Sequence, residues 1–321
     1  MNKYFKIASV ALCCIILLAV VIGIFWYNSQ FSAPQKNSGQ ERFVVNISDT
    51  QNQIVSNLKS QGFIKSIWGF DEVLKIKKLE GKISPGAYEI SKSMDAWQLV
   101  AILIKQPYQK WVVIPEGLRK EQIADILQQQ LNLSDSERQD FLDNAKEGYL
   151  FPDTYLLDSD YTGQQIAERM MSQFNTKAAD VFKSAAQANI RNDTMVILAS
   201  LIQREAANER EMPMIAGVIW NRLAQNMPLQ IDASVQYALG KEGDWWPKVT
   251  TADYQTDSPY NTYTNKGKPP APICNPGIAA MNAVVNSQDS DYLYYINDSS
   301  GQIHLAKTYQ EQLDNINKYL K

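Results

Sequence analysis

The sequence predicts an α+β protein that begins with a transmembrane helix and continues as a small α/β subdomain and a larger, mixed α+β domain. Three observations predict this class. An uncharged apolar run opens the chain. Helix-like and strand-like segments then follow without the regular alternation of a parallel sheet. The length of 321 residues, with 45% apolar side chains, is enough for more than one core.

The apolar run covers residues 7–27 and is long enough to cross a bilayer as a helix. Lysines stand before it, so the positive-inside tendency places residues 1–6 in the cytoplasm and the remainder of the chain outside. A cleaved signal peptide is the alternative. It fits less well, because the run is long and ends in the bulky Phe25, Trp26 and Tyr27. We therefore expect a single-pass anchor that is kept.

The polar segment 28–41 predicts a linker, and residues 42–108 predict the small subdomain. Within that subdomain the expected order is strand, helix, strand, helix. The first helix is expected to begin near Asp49. The four segments read RFVVNIS, DTQNQIVSNLKSQGF, GKISPGAYEI and SMDAWQLVAILIKQ.

Residues 109–321 predict the larger domain, which opens with the strand-like KWVVIPEGL. Five helical segments follow, up to about residue 225. From Met227 onward, turns, tyrosines and prolines dominate. A hairpin is expected around Asp298–Gly301, and a helix closes the chain.

Composition excludes several classes of function. The net charge of −3 gives no basic field for a nucleic-acid partner. Cys13, Cys14 and Cys274 form no CxxC pair, and His304 is the single histidine, so neither a metal site nor a cofactor is expected. His304 is expected to be a hairpin residue with a satisfied hydrogen bond. Cys274 is expected to be an unpaired thiol, buried or partly exposed.

The stretch TMVILASLIQREA predicts a helix that carries Glu205 within an apolar stripe. At about 100° per residue, Glu205 lies on the same side as Leu198, Leu201 and Ile202. Burial among apolar side chains raises the pKa of a carboxyl group, and a carboxyl that keeps its proton can act as a general acid. A helix end in water, or a buried pair with an arginine, remains an alternative. The polar residues expected on the opposite side are Ser200, Gln203 and Arg204.

Three later stretches, 147–157, 229–240 and 258–277, are rich in polar and aromatic residues. Amides, carboxylates and flat aromatic faces are the groups that bind sugars. Each stretch alone is also compatible with ordinary turns and half-buried strands. Together with the stripe glutamate, they favour a cleft that binds a glycan.

Several motifs of this chain occur in the order found in a known family. EGYLFPDTY, LASLIQREA, VIWNRL, PLQIDASVQYALG, YNTY and GKPPAPICNPG resemble motifs of the endolytic murein transglycosylases of the MltG (YceG-like) family. The likeness covers most of residues 111–321. Residues 42–106 resemble, more weakly, the LysM-like subdomain of that family.

The resemblance implies a lytic cleavage of nascent peptidoglycan strands between N-acetylmuramic acid and N-acetylglucosamine. It leaves 1,6-anhydro ends and would terminate strand elongation. Glu205 closes the family's ASIxxxE motif and is the implied catalytic residue, while Gln203 and Gln312 stand where the family tends to have Glu and His. The implied partners are glycan strands, the membrane and cell-wall synthases. The substrate-binding residues carried over or expected nearby are Gln230, Asp232, Tyr260, Asn261, Tyr263, Glu147 and Asp153.

Two other functions stay open from the sequence. A muramidase that uses water would need a second carboxylate, for which Asp232 or Asp153 is available. A non-catalytic, anchored glycan-binding scaffold would not need the acid at all, and the presence of Glu205 weighs against it.

Overall fold

A computed structural model describes residues 3–320, with side-chain surroundings from residue 9 onward. The chain forms two compact units. The first contains the residues up to Trp111 together with Leu156–Ser159, and the second contains Val112–Tyr155 and the residues from Asp160 onward. The first two residues of the expected cytoplasmic tip and the last residue of the chain lie outside the described residues.

Helix α1 covers Lys3–Phe31 and is longer than the predicted span 7–27. Its segment Ser9–Phe31 is long and apolar enough to cross a membrane. The helix continues four residues into the segment 28–41, so the prediction that the linker begins at residue 28 is wrong. These four residues are mostly polar, but they stay helical because the last of them, Phe31, packs against the first unit.

Packing at the end of α1 involves aromatic rings of the first unit. Phe31 is buried, and its ring centroid lies 5.8 Å from that of Trp68 and 6.0 Å from that of Trp97. A Cβ atom at Gly69 would lie 2.5 Å from the carbonyl oxygen of Gln30, so glycine is required there. The last turn of α1 is therefore part of the core of the first unit.

The remaining elements of the first unit include one helix that the predicted strand–helix–strand–helix order omits. Helix α3 begins after Ser66, whose side chain accepts a hydrogen bond from the Gly69 N–H. Its segment contains a glycine and several aromatic and β-branched residues, which weaken the helical signal. The elements are β1 (Gln40–Val45), α2 (Gln51–Ser60), α3 (Ile67–Lys77), β2 (Gly86–Ser91), α4 (Ala96–Leu103) and β3 (Gln109–Val113).

A four-stranded sheet has the order β1-β2-β3-β4, where β4 covers Thr154–Asp158. Strands β1 and β2 pair antiparallel from Gln40↔Ser91 to Val45↔Gly86. Strand β3, which the sequence placed at the start of the larger domain, pairs with β2 at Ala87↔Gln109. Strand β4 follows β3 after forty residues of chain and lies beside it in the sheet. Pairing between strands so far apart in the chain leaves no local signal in a sequence.

The second unit contains the remaining helices and a two-stranded sheet, so the α+β prediction is confirmed for the described residues. Helices α10 and α11 fall in the region from Met227 onward where the sequence predicted turns; they are only eight residues long each. The elements are α5 (Lys120–Leu131), α6 (Asp135–Asn144), α7 (Gly163–Gln187), α8 (Asn192–Glu205), α9 (Met212–Ala224), α10 (Asp232–Leu239), α11 (Ile278–Val285), β5 (Tyr294–Asn297), β6 (Ile303–Ala306) and α12 (Tyr309–Tyr319).

Helix α8 lies at the centre of the core of the second unit. Its residues Met195–Ile202 are all buried, so the prediction of a single apolar stripe with Ser200 on an opposite, polar side is wrong. Ser200 is fully buried; its hydroxyl donates to the Ile197 carbonyl and accepts from the N–H of Ile273. A hydroxyl that bonds within its own helix and to a neighbouring loop can be buried at little cost.

The hairpin prediction is confirmed. Strands β5 and β6 pair antiparallel, and Asp298 accepts a hydrogen bond at its carbonyl from the N–H of Gly301, which has φ +81°. Glycine adopts this left-handed conformation without strain. The carboxylate of Asp298 also accepts from the N–H groups of Ser300 and Gln302, which fixes the turn.

Candidate active site

Glu205 is the last residue of α8 and is partly exposed, although the helix before it is buried. The hydroxyl of Tyr295, on β5, donates a 2.8 Å hydrogen bond to its Oε2 atom. The carboxyl group therefore lies where the buried helix meets the hairpin, and it remains accessible from one side.

The surroundings of Glu205 raise its pKa above the ordinary value for a glutamate. Burial is the main cause, and the negative charge of Asp232 adds to it. The Tyr295 hydroxyl, the N–H of Ala233 and the charge of Arg204 act in the opposite direction, because each stabilises the carboxylate. This direction agrees with the expectation from the sequence.

The alternative of a structural ion pair between Glu205 and an arginine is not supported by the contacts. Among residues 3–320 no salt bridge of Glu205 is found. The neighbouring Arg204 instead places its guanidinium 3.9 Å from the ring centroid of Trp246. The third polar residue of this turn, Gln203, accepts a hydrogen bond from the N–H of Gly277 at its Oε1 atom.

Asp232 and Tyr263 form a second polar group close to Glu205. The Tyr263 hydroxyl donates a hydrogen bond of 2.5 Å to Oδ1 of Asp232. Burial and the adjacent carboxylate hold the pKa of Tyr263 well above its usual range, so this hydroxyl stays protonated. The ring of Tyr263 stacks on that of Tyr254 at 4.0 Å. Asp232 is exposed, and one of its two oxygens already accepts the hydrogen bond from Tyr263.

Arg222 of α9 fixes the two segments that carry these groups. Its Nε atom donates to the carbonyl of Leu293, just before β5, at 2.6 Å. Its Nη1 atom donates to the carbonyl of Leu229 at 2.8 Å and to Oε1 of Gln230 at 3.2 Å. One buried guanidinium thus sets the position of both Tyr295 and the start of α10. The sequence analysis quoted the motif VIWNRL but assigned no role to its arginine.

Gln312 supports the same strand from the other side. It is 9% exposed, and its Nε2 atom donates a 3.0 Å hydrogen bond to the carbonyl of Tyr295. Its place in the family pattern, where histidine is usual, left its role undefined in the sequence. In this chain the residue holds the backbone of the tyrosine that contacts Glu205.

The five carried-over residues divide into two groups. Gln230 and Asp232 are exposed, and Tyr260 and Tyr263 are partly exposed, so all four are accessible to a ligand. Asn261 is completely buried, and we correct the expectation that it lines the cleft. Its Nδ2 atom donates to two carbonyls of its own loop, and its Oδ1 atom accepts from the N–H of Tyr263. It shapes the loop that presents Tyr263.

Glu147 and Asp153 have structural partners in the second unit. Glu147 accepts hydrogen bonds from Nδ2 of Asn275 at 2.8 Å and from the N–H of Lys120 at 3.2 Å. Burial raises its pKa to about 7. Asp153 accepts a hydrogen bond from Gln173 at 2.7 Å. Neither carboxylate contacts Glu205 among the described interactions, so the expectation that they belong to the substrate site has no support from the contacts.

The remaining candidates have ordinary roles. His304 shares a 2.8 Å hydrogen bond with Asp298 and stacks on Tyr319 at 3.6 Å, as expected for a satisfied hairpin residue. Cys274 is fully buried and bonds weakly to the carbonyl of Ser200. Within the described part of the chain, no group of three or more His, Cys, Asp or Glu residues could hold a metal ion.

The chain is similar to known proteins over most of its length. The chain is 31% identical to the endolytic murein transglycosylase of Bacillus subtilis (strain 168), over 94% of this chain and 91% of that protein. It is 26% identical to the endolytic murein transglycosylase of Streptococcus pneumoniae serotype 2 (strain D39 / NCTC 7466), over 84% of this chain and 56% of that longer protein.

A crystal structure of the YceG-like protein lmo1499 from Listeria monocytogenes has a TM-score of 0.57 and 28% identity, and the match covers 87% of this chain and 99% of that one. The model of the YceG-like family matches residues 43–318, which include every element of the second unit that carries a candidate site residue. The chain therefore belongs to the YceG-like family.

Proposed function

We propose that the chain is a lytic transglycosylase of peptidoglycan. Its substrate is the glycosidic bond between N-acetylmuramic acid and N-acetylglucosamine in nascent glycan strands. Its products carry 1,6-anhydro-muramic acid ends, so its action terminates strand elongation. The observation that carries the proposal is Glu205, a partly exposed carboxyl group with a raised pKa and a hydroxyl donor at 2.8 Å. The names of the two bacterial relatives support the substrate.

The mechanism needs one carboxyl group that first donates and then accepts a proton. Protonated Glu205 gives its proton to the glycosidic oxygen, and the bond to the muramic acid C1 breaks. The carboxylate then takes the proton of the C6 hydroxyl, whose oxygen attacks C1 and closes the anhydro ring. The proton is returned to Glu205, and no water is consumed. General acid–base catalysis of this kind contributes about 10²- to 10⁴-fold.

Hydrolysis by water is the second candidate, because Asp232 is close enough to raise the pKa of Glu205. A general base must be free to receive a proton from water. One oxygen of Asp232 is already occupied by the Tyr263 hydroxyl, and Tyr263 is itself stacked in place. We therefore assign Asp232 to the orientation and electrostatics of the site, and prefer the lytic reaction.

The first unit supports a location at the outer face of a bacterial cell membrane. We propose that α1 anchors the chain in that membrane as a single pass, with the chain after α1 on the extracytoplasmic side. We propose further that the first unit is a LysM-like subdomain that contacts glycan, and that cell-wall synthases are partners.

The test uses the full chain with the substitution Glu205→Gln and purified peptidoglycan. The amide keeps the shape and a polar end but cannot donate and then accept the proton. We expect the release of 1,6-anhydro products to fall to background, while the melting temperature stays equal or rises, because the surroundings disfavour the charged form of the carboxyl group that has been removed.

The matched control is Glu209→Gln, an exposed glutamate four residues later, which should cleave like the unaltered chain. Full release of anhydro products by Glu205→Gln would refute the proposal. Products with reducing ends from the unaltered chain would establish the muramidase instead, and no cleavage at all would favour the glycan-binding scaffold.

A further inference from the structure

A cavity of about 790 Å³ opens between the segment that follows α8 and the β5–β6 hairpin. It lies wholly within the second unit and is not used by the mechanism above. Residues from the segment, from β6 and from α12 line it. The lining residues that matter here are Asn208, Arg210, Glu211, Ile303, Leu305 and Tyr319.

Ile303 and Leu305 line the cavity from the hairpin face that carries Tyr295, whereas His304 and the Tyr319 ring stacked on it line the cavity from the other face. Tyr295 pairs with Leu305, and Asn297 pairs with Ile303. Paired residues on neighbouring strands point to the same side of a sheet. The cavity-lining Ile303 and Leu305 therefore share a face with the tyrosine that holds Glu205. Tyr295 and Asn297 are two residues apart, which corresponds to about 7 Å along a strand.

Glu211 lines the cavity and connects two of the segments around it. This carboxylate is 5% exposed and accepts hydrogen bonds from Nδ2 of Asn208 at 2.9 Å and from the N–H of Ala207 at 3.2 Å. Asn297 of β5 reaches it at 3.5 Å. The segment that begins directly after Glu205 is thus connected to the same strand that carries Tyr295.

Arg210 supplies the charge that a ligand could use. It is exposed, it lines the cavity, and no ion pair of its guanidinium is found within the described part of the chain. A guanidinium matches the planar geometry of a carboxylate with two parallel hydrogen bonds. Leu305, Ile303 and Tyr319 add apolar surface to the lining of the same cavity. A short peptide with a free carboxylate fits this combination of a cation and apolar surface.

We propose that this cavity binds the peptide attached to the muramic acid residue whose glycosidic bond is cleaved, with Arg210 contacting a carboxylate of that peptide. The inference rests on the proposed function, because that reaction places a muramic acid at Glu205. Muramic acid carries its peptide on the lactyl group at C3, several ångströms from the bond at C1. A site that begins about 7 Å along the strand from Tyr295 is at a suitable distance to receive it.

The first experiment compares two substrates for the full chain: glycan strands with their peptides, and the same strands stripped of peptides by an amidase. We expect Arg210→Ala to lower the ratio of kcat/KM on peptide-bearing strands to kcat/KM on stripped strands about tenfold, the size of one charge-assisted hydrogen bond. The matched control is Arg169→Ala, an exposed arginine on α7, which should leave the ratio unchanged. An unchanged ratio in Arg210→Ala would overturn the proposal.

A binding measurement keeps the test independent of catalysis. N-acetylmuramoyl-L-alanyl-D-isoglutamine is titrated into the full chain carrying Glu205→Gln, and again into the same chain with Arg210→Ala added. We expect the Kd to rise about tenfold with the second substitution, from the same hydrogen bond. Equal Kd values, or no binding of the probe, would overturn the peptide site even if anhydro products are released. The proposed function, and not the peptide site, would be overturned if binding of the probe depends on Arg210 but the unaltered chain does not cleave peptidoglycan.

Discussion

Replacing Tyr295 by Phe removes the hydroxyl that holds Glu205 and leaves the ring in place. The hydroxyl donates a 2.8 Å bond to Oε2, and burial and the neighbouring Glu205 keep the pKa of Tyr295 well above its usual range, so it acts as a donor. The bond stabilises the carboxylate form of Glu205. Without it, the pKa of Glu205 rises further above the ordinary value, because burial and Asp232 are opposed by fewer donors.

The magnitude follows from one hydrogen bond, worth about 1 kcal/mol, or about fivefold in kcat near the optimum. The assay is the pH profile of kcat/KM on peptidoglycan. Activity requires protonated Glu205, so the alkaline limb marks its pKa, and this limb should move to higher pH in Tyr295→Phe. A Tyr295→Phe chain that loses activity with an unmoved limb would refute the electrostatic role and leave only a packing role.

Three further predictions follow from the same contacts. Asp232→Asn removes a negative charge beside Glu205, so the alkaline limb of kcat/KM should move to lower pH; a move to higher pH would contradict the assignment. Burial raises the pKa of Glu147 from an ordinary 4.5 to about 7, so its contribution to stability is complete below pH 4.5 and is lost as the pH rises through 7. In Glu147→Gln, a slope of at most about 1.4 kcal/mol per pH unit should vanish from denaturation measured across that window. Asn261→Ala strands the loop groups that the amide satisfies, so unfolding by denaturant should become easier by about 2–3 kcal/mol, and a neutral result would show that the loop does not depend on it.

The elements that the sequence predicted well are those with strong local signals. Helix α7 keeps apolar residues at helical spacing over 25 residues and begins with a capping box at Thr162, and the hairpin has a turn that ends in Gly301. What could not be predicted depends on packing over long separations. Helix α8 has no polar face because loops around Ile273 and Cys274 cover the side on which Ser200 lies. The spacing of apolar residues within a helix carries no information about contacts with residues more than seventy positions away in the chain.

In the candidate site, too, local features could be predicted from the sequence and long-range contacts could not. Glu205 could be singled out because a carboxylate in an apolar stretch is a local signal, and the motif resemblance pointed to the same residue. Its partners could not be deduced from spacing, since Tyr295 is 90 residues and Asp232 is 27 residues later in the chain. Asn261 was misassigned for a related reason. A polar residue in a motif predicts that its side chain has partners, but only the fold shows whether those partners are backbone groups or a substrate.

The mixed surroundings of Glu205 have a chemical purpose if one carboxyl group performs both proton transfers. An environment that only favoured the acid would make the carboxylate formed after the first transfer too costly, and the second transfer would start from a strained state. An environment that only favoured the carboxylate would leave no proton to donate near neutral pH. Burial and Asp232 act in favour of the protonated form, while Tyr295 and the N–H of Ala233 stabilise the ionised form. The two donors come from β5 and α10, which Arg222 holds through Leu293 and Leu229. The balance between the two protonation states of Glu205 is thus set by segments that one buried arginine keeps in position.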